Sequence, residues 1–113
     1  MLPRKSRLTK GKDFKEVARK AKSIHSHLFL IKALFSPEVT TRFGIIVSTK
    51  VSKKATIRNR IKRQVREIIR RELPRVKNNY NVMIIVKDSI INKNFQELAK
   101  DLSNLLIKSH LLK

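Results

Sequence analysis

The 113-residue chain has no cysteine. Disulfides and thiolate metal sites are excluded, and the composition is compatible with a reducing cytoplasm. Glycine occurs twice, at Gly11 and Gly44, and neither has the spacing of a phosphate-cradling loop, so nothing supports nucleotide hydrolysis. Acidic residues are also sparse. Asp13, Glu16, Glu38, Glu67, Glu72, Asp88, Glu97 and Asp101 stand singly, whereas a metal-dependent nuclease needs carboxylates converging on its ions. Glu97 and Asp101, four apart, read as a solvated helix face. No apolar run approaches the roughly 20 residues that span a bilayer. The opening MLPRKSRLTKGK is followed by no apolar stretch or small-residue cleavage site of an export signal. The expectation is one domain, residues 1–113, in the cytoplasm, with no membrane, small-molecule substrate, protein-held metal or obligate protein partner.

Positive charge is what the chain has in excess. Its formal net charge is +20 and its pI about 11.3, which points to nucleic acid. From Lys50 to Lys77, twelve Lys or Arg face only Glu67 and Glu72, leaving +10 locally. Such crowding of like charge is offset most simply by a polyanion. The centre of this region is Ala55 to Arg71, ATIRNRIKRQVREIIRR. Wound at about 100° per residue, it gathers Ile57, Ile61, Val65, Ile68 and Ile69 on one arc, which predicts a buried face. Asn59, Arg63, Arg66 and Arg70 fall opposite, with Lys62 at their edge. Arg60, Glu67 and Arg71 form a third stripe, in which Glu67 is placed to pair with Arg71 and Arg63. Six Arg against one Lys between Arg58 and Arg71 favours phosphate contact, because a guanidinium fork binds phosphate bidentately and an ammonium does not.

In chain order, Asp13–Ala21 has Phe14, Val17, Ala18 and Ala21 at helical spacing, and Thr9 would cap a slightly earlier start. Phe14, one of only six aromatics, is either the core anchor of this helix or a stacking surface for a base. Ser23–Phe35 reads as a strand with Leu28, Leu30 and Lys32 on one side and Phe29, Ile31 and Ala33 on the other. Pro37 interrupts it, and Arg42–Thr49 reads as a second strand, paired antiparallel with the first. The basic helix stops near Leu73, before Pro74. Tyr80–Val86 is a third strand, apolar enough to be buried on both faces. Phe95–Ile107 is an amphipathic helix with Asn94 and Glu97 spaced as a capping box. The fold class is α+β, a two-layer α-β sandwich in the order α-β-β-α-β-α, with an extra short strand near Ile24.

Catalytic groupings are nearly absent. His25 and His27 would share one side of a strand but have no acidic partner, and His110 reads as exposed. The polypeptide reads as a binder. A general or ribosomal RNA-binding protein has the same charge and core. A protein-only nuclease or a helix-turn-helix protein fits less well, for lack of a carboxylate cluster or of a short helix before the basic one.

The run Ser52 to Glu67, SKKATIRNRIKRQVRE, resembles the signature of the bacterial ribonuclease P protein component, with its Arg-Asn-Arg core at Arg58, Asn59 and Arg60. The likeness extends to RLTKGKDFKEV before it and to RFGIIVSTK leading into it. This resemblance implies a ribonucleoprotein that removes the 5′ leader of precursor tRNA, in which a large RNA is the catalyst and holds most of the Mg. It implies a left-handed crossover through the basic helix to a parallel strand, where the general rule predicts the opposite hand. It implies that Arg58, Asn59, Arg60, Lys62, Arg63 and Arg66 contact the catalytic RNA, a set that Lys53, Lys54 and Arg70 extend. The helical wheel agrees for Asn59, Arg63 and Arg66, while Arg58 and Arg60 rest on the resemblance.

A second surface implied by the resemblance is a cleft that tracks the single-stranded leader, with Phe14 at its aromatic position and Arg42 and Lys50 at basic ones. Ala18 and Lys32 stand where relatives commonly have further aromatics. Lys32 in that place favours contact through charge over stacking.

Overall fold

The computed structural model describes residues 2–113, so Met1 of the basic opening segment and of the expected 1–113 unit lies outside the described residues. The elements are α1 (Gly11–Lys20), β1 (Ser23–His25), β2 (Phe29–Phe35), β3 (Arg42–Ile46), α2 (Ala55–Glu72), β4 (Tyr80–Val86) and α3 (Phe95–Lys108). Single 3-10 turns precede α1 and follow α2 and β4. The expected order is present, and so is the short strand at Ile24. Pro74 falls in the 3-10 turn Leu73–Arg75, where its missing N–H costs nothing and α2 has already ended. Asn94 and Glu97 form the expected capping box. Thr9 does not cap α1. Leu8 is still held to β3 by its N–H on the Phe43 carbonyl (2.8 Å), so the helix begins only at Gly11, without a side-chain cap.

One pairing differs from expectation. β2 and β3 are not neighbours: the sheet order is β1-β2-β4-β3, with β4 antiparallel to β2 and parallel to β3. The segment 36–41 does not close a hairpin but wraps the start of β4. The Asn79 amide donates to the carbonyls of Pro37 (3.0 Å) and Val39 (2.9 Å), and the Thr41 hydroxyl donates to the Lys77 carbonyl (2.5 Å). β4, apolar on both faces, gains most from the central place, where both faces and both edges are covered.

Alternation then assigns the two faces. Phe29, Ile31, Phe43, Val82, Ile84 and Val86 form the main core with Ile61, Val65, Ile68 and Ile69 of α2 and Leu98, Leu102, Leu105 and Leu106 of α3. The opposite parity meets α1. Val17 is fully buried there and Met83 nearly so. Leu28 departs from the alternation expected of it, because it precedes β2 and joins the main core. Its N–H and the Ser26 hydroxyl (2.5 Å) both donate to Asp101, which therefore ties the β1–β2 turn to α3 and is not a freely solvated carboxylate.

Candidate nucleic-acid interface

Burial of Ile61, Val65, Ile68 and Ile69 sets the rotation of α2 and sends the basic stripe outward. Asn59, Arg60, Arg63 and Arg70 are exposed, and Lys62 and Arg66 are half-buried. Lys53 and Lys54 are exposed just before the helix. Arg58 turns back, its Nη1 donating to the Ser52 carbonyl at 2.9 Å, so it braces the loop that enters α2.

The expected partners of Glu67 are not the ones it takes. Arg70 grips it as a fork, Nε to Oε1 at 2.6 Å and Nη2 to Oε2 at 2.9 Å, while Arg71 lies over the Phe95 ring at 5.0 Å. Bidentate geometry at i,i+3 and the aromatic face offered by α3 outcompete the single contacts that four-residue spacing suggested. The hydrogen bond from Arg70 holds the Glu67 carboxyl below the usual carboxylate range, and Glu67 in turn raises Arg70. Arg70 thus stands on the stripe with its charge already partnered. Arg60, Arg63 and Arg66 have no ion-pair partner among the described residues.

Arg7 is an addition that sequence reading missed. The strap ahead of α1 lies along the free edge of β3, Arg7 pairing with Phe43 in a parallel bridge, and Leu2 at its start is 1% exposed in the main core. Arg7 Nε donates to the Leu2 carbonyl at 3.0 Å. The side chain comes to rest with Arg63, Arg66 and Glu67 around a cleft of about 350 Å³. With Glu67 engaged by Arg70, three arginines from two distant segments line one opening. The only signal in the sequence was the basic character of the segment.

The four residues expected to meet a leader strand, Phe14, Lys32, Arg42 and Lys50, belong to the α1 side of the sheet. Register places Lys32, Met83 and Gly44 in one row and Arg42 in the next with Asn81. Arg42 reaches Asp13 of α1 at 3.3 Å and Asn81 at 3.0 Å. Lys32 Nζ donates to the Ala18 carbonyl at 2.9 Å, so the two departures from the aromatic pattern meet each other and fasten α1 to β2. Phe14 lies against Gly44 and is half-buried. It is both an anchor of α1 and a partly open ring. Beyond α1, Leu30, Ile85 and Ile46 form a half-exposed apolar row. Exposed Lys50 lies farther along, in a groove with Ile85 and Lys87.

Gly44 is required by close approach: a Cβ there would stand 2.3 Å from Phe14 Cε1 and Cζ. Gly44→Ala is therefore expected to displace the ring and cost about 1–3 kcal/mol, measured by urea unfolding. An unchanged midpoint would show that Phe14 moves aside freely and does not anchor α1.

The histidines do not assemble. His25 ends β1 and His27 lies past it, so they do not share a strand face as expected, and both are exposed, as is His110. Among the described residues no cluster of His, Asp or Glu could hold a metal ion, and no helix is long and apolar enough to cross a membrane.

Residues 2–110 match the family model described as Ribonuclease P. The ribonuclease P protein component of Pseudanabaena sp. is 41% identical over 113 residues, covering 99% of this chain and 97% of the relative. That of Microcystis aeruginosa is 40% identical over 115 residues, covering 98% and 96%. Among solved structures, the RNase P protein from Thermotoga maritima superposes with a TM-score of 0.82 at 29% identity, covering 90% of this chain and 96% of that one. The Staphylococcus aureus RNase P protein gives a TM-score of 0.88 over 96% of this chain and 98% of that one, which at 23% identity supports the fold.

Proposed function

Because the chain belongs to the ribonuclease P protein family, as the protein component of that endoribonuclease, we propose that it binds the catalytic RNA along α2 and the 5′ leader of precursor tRNA along the α1 side of the sheet. The observation that carries this reading is the row of unpartnered arginines on α2, completed from outside the helix by Arg7. Asn59, Lys62, Arg63 and Arg66 meet phosphates of the catalytic RNA, with Lys53, Lys54 and Arg60 at the near end of the same helix. Arg58 braces the loop, and Arg70 contributes through its pair with Glu67. On the other surface Phe14 and the row Leu30–Ile85–Ile46 offer apolar area to leader bases, and Lys50 meets the backbone. Lys32 and Arg42 act there mainly by holding α1 in place, and their charge still favours an anion nearby.

The polypeptide contributes no catalytic group. Cleavage belongs to the RNA, which holds the Mg in the cytoplasmic holoenzyme. What a chain of net charge +20 adds is relief of repulsion between a polyanionic catalyst and a polyanionic substrate. Its effect is therefore largest where divalent cations are scarce.

The test is cleavage of a precursor tRNA at low millimolar Mg by a bacterial ribonuclease P RNA, with and without the protein, beside a protein-only control. The expected result is correct 5′ cleavage that requires the RNA and is stimulated by the protein. Binding without stimulation would reduce the chain to a general RNA-binding protein, and cleavage by the protein alone would overturn the division of labour.

A further inference from the structure

The flank of α2 that bears Arg60 borders a second concavity, of about 330 Å³, closed on its other side by the turn that leads into α3. Its floor is apolar: Ile61, Ile90 and Leu98 are buried, and Ile91 is 40% exposed beside them. Its rim is polar, with Arg60, Gln64, Asn92 and Lys93. The side-chain amides of Gln64 and Asn92 have no protein hydrogen-bond partner among the described residues. Asn92 has a φ of 68°, a left-handed conformation that asparagine adopts more readily than most residues. The turn is held by Ile91 N–H on the Asp88 carbonyl (3.3 Å) and Lys93 N–H on the Ile90 carbonyl (3.1 Å). The rim is thus set by the backbone and leaves its amides free.

We propose that this pocket receives one unstacked nucleobase of the bound RNA, covered on its ring by the isoleucines and read at its edge by Gln64 and Asn92. Arg60 and Lys93 meet the flanking phosphates. The inference rests on the RNA-binding reading of α2 and adds a contact of a different kind. A phosphate site needs cations alone and leaves an apolar floor unused. Amides with both donor and acceptor atoms above apolar surface match the edge and face of a base. The volume is at the small end of ligand pockets, about 300–1,000 Å³, and suits a single heterocycle. The pocket also accounts for Arg60, which lies off the line of Arg63 and Arg66 but on the same helix, so one strand can pass from stripe to pocket.

The test compares Gln64→Ala/Ile91→Ala with Arg63→Ala/Arg66→Ala in binding a bacterial ribonuclease P RNA across a salt series. Ile91 is exposed, and half-buried Gln64 borders the buried face of α2 without belonging to the core cluster, so the double variant leaves the core intact, which thermal unfolding checks. A base contact releases no counterions, so the first pair is expected to weaken binding roughly 5- to 150-fold with an unchanged salt slope. The second pair is expected to flatten the slope. If the first pair binds like the parent while the second flattens the slope, the pocket is overturned and the RNA-binding reading stands. If the first pair flattens the slope, the contact is to phosphate and the base assignment is overturned. If neither pair changes anything, both readings fall.

Discussion

Replacing Arg7, Arg63 and Arg66 together by alanine is expected to weaken binding to the catalytic RNA roughly 50- to 150-fold near 0.15 M salt and to flatten the salt dependence by about two to three units. Each phosphate neutralised by a guanidinium releases about 0.7 to 0.9 of a counterion, and three such contacts multiply. Glu67, the acid beside these arginines, is taken by Arg70 and leaves their charge unpaired. Arg7→Ala alone is the sharper version. It lies on a strap, not on the helix, and is expected to remove about one unit of slope by itself. Losing its hydrogen bond to the Leu2 carbonyl costs about 0.5–1.5 kcal/mol of stability, so the thermal midpoint should fall by only a few degrees. A slope that does not move in the triple variant would return the stripe to solvent.

The second large effect is on stability. Phe43→Ala is expected to cost about 3–5 kcal/mol in urea unfolding, a large part of the roughly 5–15 kcal/mol that stabilises a typical domain. The side chain is 2% exposed in the main core, and the backbone at Phe43 holds the strap through the Arg7 bridge and the Leu8 N–H. A cavity there should loosen the seat of Arg7 as well. Phe35 supplies the contrast. It is 60% exposed and meets Tyr80 edge to face at a centroid distance of 5.6 Å, so Phe35→Ala should cost about 1 kcal/mol. Equal losses at the two positions would mean that β3 is not packed against α2 and α3 as described.

The helices were legible because their signals are local. Isoleucines at helical spacing, Asn94 with Glu97, and Pro74 each act within a few residues, and α2 and α3 begin and end within a residue or so of where those signals place them. The neighbour of β3 was not legible from turn chemistry, since Pro37 lies where a hairpin would turn and the chain makes none. A better clue lay in β4, whose residues are apolar at successive positions. A strand buried on both faces belongs in the middle of a sheet, and that demand outweighs the nearness of β2 and β3 in sequence.

Charge behaved similarly. The excess of arginine on α2, and hence the partner class, follows from composition and periodicity alone. Which arginines remain available does not, because Arg70 and Arg71 are engaged by Glu67 and Phe95, whereas Arg63 and Arg66 gain Arg7 from nearly sixty residues away. The helices, their buried faces and the sign of the surface could be read from local sequence, since these depend on side chains a few residues apart. Tertiary structure alone decided the strand order, the place of Arg7, the joining of Lys32 to Ala18 and the pocket beside Arg60. Each of these joins segments whose separation along the chain carries no information about their distance in space.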